Sequence, residues 1–113
     1  MSTNAICAIA TAKGSSALGI IRVSGTGLES MLEHLFTKKL NDRKATLTDI
    51  KKDDMLFDNC IVILYSAPKS YTGEDVIEII THGNPVIMNS IVDLLCSSGV
   101  SHAGPGEFTE RAF

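Results

Sequence analysis

The sequence lacks the features of a membrane or exported protein. Its longest apolar runs are far shorter than the roughly 20 residues that cross a bilayer as a helix. The first residues, from Met1 to Asn4, have neither the basic start nor the apolar core of a signal peptide. We therefore expect a cytoplasmic protein with no membrane partner.

Cysteine and positive charge are also scarce. The three cysteines, Cys7, Cys60 and Cys96, are widely separated and match no zinc-binding spacing. We interpret them as small buried hydrophobic residues rather than reactive thiols, and we predict no metal site. The net charge of −3 argues against a domain whose whole surface binds nucleic acid.

Signatures of common catalytic sites are missing as well. Neither GxxxxGKS nor GxxxxGKT occurs, so this chain alone cannot be a P-loop nucleotide hydrolase. No set of Ser, His and Asp has a spacing that recommends a hydrolase. We predict no catalytic residue in this chain.

What is present is the composition of a globular domain, with 44% apolar and 20% charged residues. The length of 113 residues fits one domain over residues 1–113. The last residues, Gly104 to Phe113, indicate a turn and a helix that begins without any end signal. We therefore expect one domain of a longer protein.

Strands outnumber helices along the chain. Apolar or alternating segments predict strands at residues 5–10, 18–24, 46–50, 55–57, 59–65, 75–81 and 100–103, with an exposed hairpin over 46–57. Two longer helices and the terminal helix start lie between or after them. This order predicts an α+β fold, a mixed β-sheet with helices packed on one side as a two-layer sandwich.

The two longer helices have recognisable beginnings. Thr26 and Glu29 have the spacing of a capping box, and the apolar stripe that follows predicts a helix that ends near Lys38. Asn84 and Pro85 predict the cap and the first turn of the second helix.

The stretch from Ser70 to Pro85 carries the strongest anomaly. It predicts an apolar strand with Glu78 in its middle. Burial of a carboxylate costs free energy unless a cation or a bound ligand pairs with it. Arg22 ends the apolar face of another strand. Two readings stay open. Arg22 and Glu78 form a buried ion pair, or they line a pocket where Glu78 accepts two N–H groups of a pterin-like edge and Arg22 binds a carboxylate or carbonyl oxygen.

His82 and Gly83 precede the second helix, where backbone N–H groups favour anions. We interpret His82 as a structural hydrogen-bonding residue, because Asn84 caps the helix itself.

Three blocks of sequence follow one another across nearly the whole chain. They run from Ala8 to Gly25, from Tyr71 to Pro85 and from Pro105 to Phe113. Each block alone is a weak signal, but their order and spacing together are specific. They resemble the N-terminal domain of the MnmE (TrmE) family of tRNA modification GTPases, and residues 37–59 contribute little to the match.

The resemblance implies a module similar to the folate-binding domain of glycine-cleavage T-protein-like enzymes. It implies that the domain binds 5-formyl- or 5,10-methylene-tetrahydrofolate and forms a homodimer. It also implies a parent protein with a helical domain, a GTPase domain that uses GTP, Mg and K, and a C-terminal cysteine motif, none of which lies in this chain. With the FAD-dependent partner MnmG, such a parent modifies C5 of the wobble uridine (U34) of tRNA.

The resemblance also implies the binding residues. The family's folate-contacting arginine falls on Arg22 and its glutamate on Glu78, while a further basic contact falls after Phe113. The family's Gly-Arg-Gly-Gly loop corresponds here to residues 14–17, which read Gly-Ser-Ser-Ala, and a common arginine is replaced by Gly104. These departures bear on the contacts of the loop with ligand or partner.

Two other functions stay open. The domain is a structural homodimerisation module in which Arg22 and Glu78 pair only with each other, or it is a free-standing aminomethyltransferase-like enzyme. The chain is short for the latter, which must hold two substrates.

Overall fold

Six strands form one mixed sheet within residues 4–10 and 17–112, the part of the chain that the computed structural model describes. The strands are β1 (Ile6–Ile9), β2 (Leu18–Gly25), β3 (Thr46–Lys52), β4 (Met55–Tyr65), β5 (Asp75–His82) and β6 (Ser101–His102). Their order across the sheet is β3-β4-β5-β2-β1-β6. Only β1 and β6 run parallel, and the other neighbours are antiparallel. The α+β prediction is confirmed.

The described helices are α1 (Leu28–Leu32), continued by a short 3-10 turn (Glu33–Leu35), α2 (Pro85–Ser97) and α3 (Glu107–Ala112). Two of these three helices, α1 and α2, cover one face of this sheet. Leucine and isoleucine side chains of α1 and α2 are fully buried in the same cluster as those of the central strands. Each such side chain contributes about 1.5–3 kcal/mol when it leaves water. No helix in the described ranges is long and apolar enough to cross a membrane.

The two faces of the sheet differ in cover. We call the face toward α1 and α2 the inner face and the opposite one the outer face. On β5, Ile77 and Ile79 are fully buried on the inner face, whereas Glu78 and Ile80 are half-buried on the outer face. The same alternation on β2 confirms the predicted period of two.

The predicted hairpin is present and its return strand is long. The segments predicted at 55–57 and 59–65 belong to the single strand β4, and Asp58 between them is buried. The turn contains Asp53 with a φ of 54°. Aspartate tolerates this left-handed conformation better than most residues, because its side chain bonds locally.

The beginning and end predicted for the first helix are wrong. Its cap is Gly27, with a φ of 70° and no side-chain hydrogen bond, rather than Thr26. Glycine adopts this left-handed conformation without a steric penalty, so the helix cap lies one residue later than predicted. The helix does not reach Lys38, because Phe36 becomes extended and pairs with Ile50 beside the sheet. The tertiary contact replaces one more helical turn.

The second helix begins as predicted. Asn84 Oδ1 accepts hydrogen bonds from the backbone N–H groups of Val86 and Ile87, at 2.8 and 3.3 Å. Pro85 is the first helical residue, where its missing N–H has no intrahelical partner to lose.

Candidate functional site

The two predicted site residues lie directly opposite each other on the central strands. Arg22 of β2 pairs in register with Glu78 of β5. The Nη2 and Nε atoms of Arg22 donate to Oε2 of Glu78 at 2.7 and 3.0 Å. Their side chains are 33% and 20% exposed. The ion pair therefore exists, but it is half-buried on the outer face and solvent reaches it.

Tyr65 is a third member of this site that the sequence interpretation missed. Its hydroxyl group donates to Oε1 of Glu78 at 3.4 Å, which is longer than the usual range of about 2.5–3.0 Å and makes this a weak contact. Burial raises the pKa of Tyr65, and the nearby Glu78 carboxylate raises it further. The phenol therefore remains a neutral donor. The alternation of β4, which sends Ile61, Ile63 and Tyr65 to one face, was the available signal.

The guanidinium group of Arg43 lies over the Tyr65 ring. Its guanidinium carbon lies 5.9 Å from the ring centroid, within the range of a cation–π contact. Its Nη1 donates to both oxygens of Asp42, and its Nη2 donates to the carbonyl of Lys69. The Ser66 backbone N–H lowers the pKa of Asp42, and Arg43 lowers it further. Two loops are thereby joined beside the ring.

An apolar floor adjoins the ion pair on the outer face. Ile20, Ile63 and Ile80 are half-buried there, and the last two flank Glu78 across and along the sheet. Leu18, Leu47 and Ile61 extend the same face and are exposed. A flat heterocycle can lie on such a floor while a few polar groups fix its edge, which is the usual composition of a small-molecule site.

One end of the outer face is closed. Ser24 and Val76 are buried there, two residues beyond Arg22 and before Glu78. Ser24 Oγ lies 2.6 Å from Thr72 Oγ1 and donates to Oε1 of Glu74 at 2.9 Å. Arg111 of α3 donates to the same oxygen at 2.9 Å. This polar network ties α3 to the sheet.

At the other end of β5, His82 is hydrogen-bonded to Asp58. The two Asp58 oxygens lie 2.8 and 3.1 Å from His82 Nδ1, and Oδ2 accepts the His82 backbone N–H at 3.0 Å. The side chain of Asp58 is 8% exposed and that of His82 is 67% exposed. His82 is thus a hydrogen-bonding residue, as interpreted, with a buried partner that the sequence did not reveal.

The cysteines are not part of this site. Cys7 and Cys60 are buried, as predicted, and Cys96 is intermediate. Burial raises the pKa of both buried thiols to about 12, and Cys96 and Asp58 add to this at Cys7 and Cys60. Among the described residues, no group of three or more His, Cys, Asp or Glu side chains is arranged to hold a metal ion. Residues 14–16, part of the loop that departs from the family pattern, lie outside the described residues.

Concave surface also occurs away from the ion pair. A hollow of about 750 Å³ lies at the hairpin tip, lined by residues 52–57. Its lining combines lysine, aspartates and exposed apolar side chains without a hydrogen-bonded cluster, so it offers less to orient a ligand than the outer face does.

These features define an α+β domain whose sheet is covered by two helices on one face and open around a charged pair on the other. The family model described as "GTP-binding protein TrmE N-terminus" matches residues 5–113. The chain belongs to this family of TrmE N-terminal domains, which confirms the resemblance found in the sequence.

Relatives support the same conclusion. The tRNA modification GTPase MnmE of Francisella tularensis subsp. novicida (strain U112) is 48% identical over 108 residues, which are 96% of this chain and 24% of that protein. The protein of the same name from Francisella philomiragia subsp. philomiragia (strain ATCC 25017) is 46% identical over the same length. The chain thus spans about a quarter of the curated relatives that it matches.

Proposed function

We propose that this domain binds a reduced folate one-carbon donor, 5-formyl- or 5,10-methylene-tetrahydrofolate, on the outer face of its sheet. The Glu78 carboxylate opposite Arg22 is the observation that carries the proposal. The pterin edge presents an amino group and a ring N–H side by side, and a carboxylate accepts both. Arg22 then turns from Glu78 to the neighbouring carbonyl oxygen of the ligand.

The surroundings of the pair support a flat ligand. Ile20, Ile63 and Ile80 supply an apolar floor, and the Tyr65 ring stands beside Glu78. Solvent already reaches the pair, so a ligand has access without unfolding of the sheet.

A thermal shift experiment tests this proposal. Excess 5-formyl-tetrahydrofolate should raise the melting temperature of the 113-residue chain, since a ligand at 100 times its Kd stabilises the native state by about 2.7 kcal/mol. Glu78→Gln should abolish the shift while circular dichroism stays native. Glu33→Gln, at an exposed glutamate of the 3-10 turn, is the matched control and should keep the shift. A folded wild-type chain without any shift refutes folate binding and favours the structural alternative.

We also propose that a second copy of the domain packs on the β3–β4 hairpin to form a homodimer. The hairpin exposes four large apolar side chains, Leu47, Met55, Leu56 and Ile61. Leu47 and Ile61 are neighbours across the hairpin, and exposed apolar surface beyond single side chains commonly marks an interface. Sedimentation equilibrium should show a dimer that Leu47→Glu with Ile61→Glu dissociates. Val86→Glu, at an exposed position of α2, is the control and should remain dimeric. A monomeric wild-type chain at high concentration contradicts this interface.

Within its parent, the domain supplies the one-carbon unit to a cytoplasmic tRNA modification GTPase that works with MnmG on C5 of U34. Membership of the TrmE family and the printed name of the Francisella relatives support this role. The residues for GTP hydrolysis then lie outside this chain. Glu78→Gln in the full-length parent should abolish the modified uridine in tRNA, as measured by mass spectrometry, and leave GTP hydrolysis intact. Unchanged modification would contradict the role.

A further inference from the structure

Positive charge is concentrated at one corner of the domain, although the chain as a whole is acidic. We call this surface the basic corner and define it as the exposed residues Lys38, Lys39, Arg43, Lys44 and Lys69. These are five of the ten lysine and arginine residues of the sequence, and one of its thirteen acidic residues, Asp42, lies among them. The basic corner therefore has a formal charge of +4 in a chain whose net charge is −3.

The backbone brings these residues together near the start of β3. The Lys38 backbone N–H donates to Thr48 Oγ1 at 3.2 Å, which places the segment before β3 beside that strand. The Lys44 backbone N–H donates to the carbonyl three residues earlier at 3.1 Å and closes the turn that leads into β3. The carbonyl of Lys69 accepts a hydrogen bond from Arg43, which adds the loop after β4 to the corner.

The lysine charges of the basic corner are available to a partner. Asp42 is already engaged, because both of its oxygens accept from Arg43 and Oδ1 also accepts the Ser66 backbone N–H at 2.8 Å. Within residues 4–10 and 17–112, none of the four lysines of the corner forms an ion pair. A polyanion can therefore bind them without breaking a salt bridge.

Acidic residues border the basic corner and limit its extent. Glu29 and Glu33 line the hollow of about 540 Å³ that adjoins the first two lysines. In the loop that contains Lys69, Asp75 Oδ1 accepts the Ala67 backbone N–H at 2.9 Å. A polyanion is thus attracted to the corner and repelled by the surface around it, which fixes where it binds.

The basic corner adjoins the site proposed for folate. Arg43 belongs to the corner and lies over the Tyr65 ring, whose hydroxyl group contacts Glu78. One aromatic ring therefore separates the corner from the carboxylate. A polyanion bound at the corner lies next to the ligand that is proposed to donate the one-carbon unit.

We propose that the basic corner binds the phosphate backbone of the tRNA substrate. Lysine contacts to phosphates position a nucleic acid without reading its sequence, and they weaken as the salt concentration rises. This inference rests on the proposed role in tRNA modification and adds a surface of this domain that holds the tRNA beside the folate.

Fluorescence anisotropy with a labelled anticodon stem-loop RNA that carries U34 tests the proposal. Lys44→Gln with Lys69→Gln should weaken binding by the 113-residue chain about tenfold at roughly 50 mM salt, and should reduce the slope of log K against log salt by about 1–2. Lys51→Gln with Lys52→Gln is the matched control, because it removes the same charge at the other end of β3, about 20 Å away. It should change the affinity little.

The outcomes are distinguishable. Equal weakening by the two double variants would show that only the total charge matters, and it overturns the basic corner. A polyglutamate peptide that binds as tightly as the RNA would assign the corner to an acidic protein partner instead. A wild-type chain that does not bind the RNA at low salt also refutes the proposal. Folate binding is measured without RNA, so the thermal shift with 5-formyl-tetrahydrofolate stands or fails independently of all three results.

Discussion

Arg22 donates two hydrogen bonds to the same oxygen of Glu78, Oε2, while Oε1 receives the longer bond from the Tyr65 hydroxyl group. A fork-to-fork arginine–carboxylate pair would use both oxygens. The pair is therefore one-sided, and Oε1 is the oxygen with the weaker attachment. A ligand N–H can approach Oε1 first, and only full capture of the carboxylate requires Arg22 to move.

The strength of this ion pair is measurable. We expect Arg22→Met and Glu78→Gln each to lower the free energy of unfolding by about 1–2 kcal/mol, because the pair is intermediate between exposed and buried pairs. A double-mutant cycle from urea denaturation at pH 7 should give a coupling of about 1 kcal/mol. A coupling near zero would show that the pair contributes nothing to the stability of the fold.

The side chain of Arg43 contacts the Tyr65 ring, but its backbone adopts an unfavourable conformation. Its φ is 60°, a left-handed conformation that costs a non-glycine residue roughly 1–2 kcal/mol. Arg43→Ala and Arg43→Gly both lose the contact with Tyr65, but glycine also relieves the backbone. We expect the glycine variant to be about 1 kcal/mol more stable than the alanine variant by thermal denaturation.

Lys44 provides the comparison for Arg43. It is exposed and has no positive φ, so alanine should be at least as stable as glycine there. The same order at both positions would mean that Arg43 does not adopt the left-handed conformation in solution.

Arg111 secures the terminal helix. Its side chain bonds Glu74 on the loop before β5 and Glu107 within α3, at 2.9 and 3.2 Å. A helix of this length is not stable in isolation, so its order depends on such contacts. Arg111→Ala should speed amide hydrogen exchange throughout α3 and leave α2 unchanged. Glu110→Ala, at an exposed position of α3, should have little effect. Slow exchange in the Arg111 variant would show that other contacts hold the helix.

The buried thiols predict a pH dependence of stability. Their pKa rises from 9.0 in the unfolded reference to about 12 in the native state, chiefly through burial. The native state therefore favours the neutral thiols, and this contribution is complete below pH 9 and is lost as the pH rises toward 12. Cys60→Val should reduce the loss of stability over that range in alkaline denaturation.

A thiol-labelling experiment checks the same burial at neutral pH. Ellman's reagent should react with Cys96 before Cys7 and Cys60 in the native chain, and with all three in urea. Rapid native labelling of Cys60 would contradict its burial.

Local patterns predicted the elements whose causes are local. The alternation of β2 and β5 follows from side chains that point to opposite faces of a strand. The start of α2 follows from Asn84 and Pro85, which act within one turn. The ion pair itself depends on a register between two distant strands, so the sequence left it open beside a ligand pocket.

The failures have long-range causes. The predicted capping box at Thr26 is the exception, because Gly27 itself adopts the left-handed conformation and caps the helix. The helix expected to end near Lys38 stops earlier because Phe36 pairs with Ile50. Arg43 and Arg111 were missed because each contacts a site residue from a segment that is distant in sequence.

The central position of β2 and β5 has a consequence for synthesis of the chain. Arg22 and Glu78 are 56 residues apart, so β2 leaves the ribosome well before the strand that will occupy its second edge. At roughly 5–20 residues per second, the wait lasts on the order of 3–11 s. During that time β2 can pair only with β1, and its other edge needs protection from foreign strands. The Arg22–Glu78 ion pair can therefore form only after β5 has been synthesised and has paired with β2.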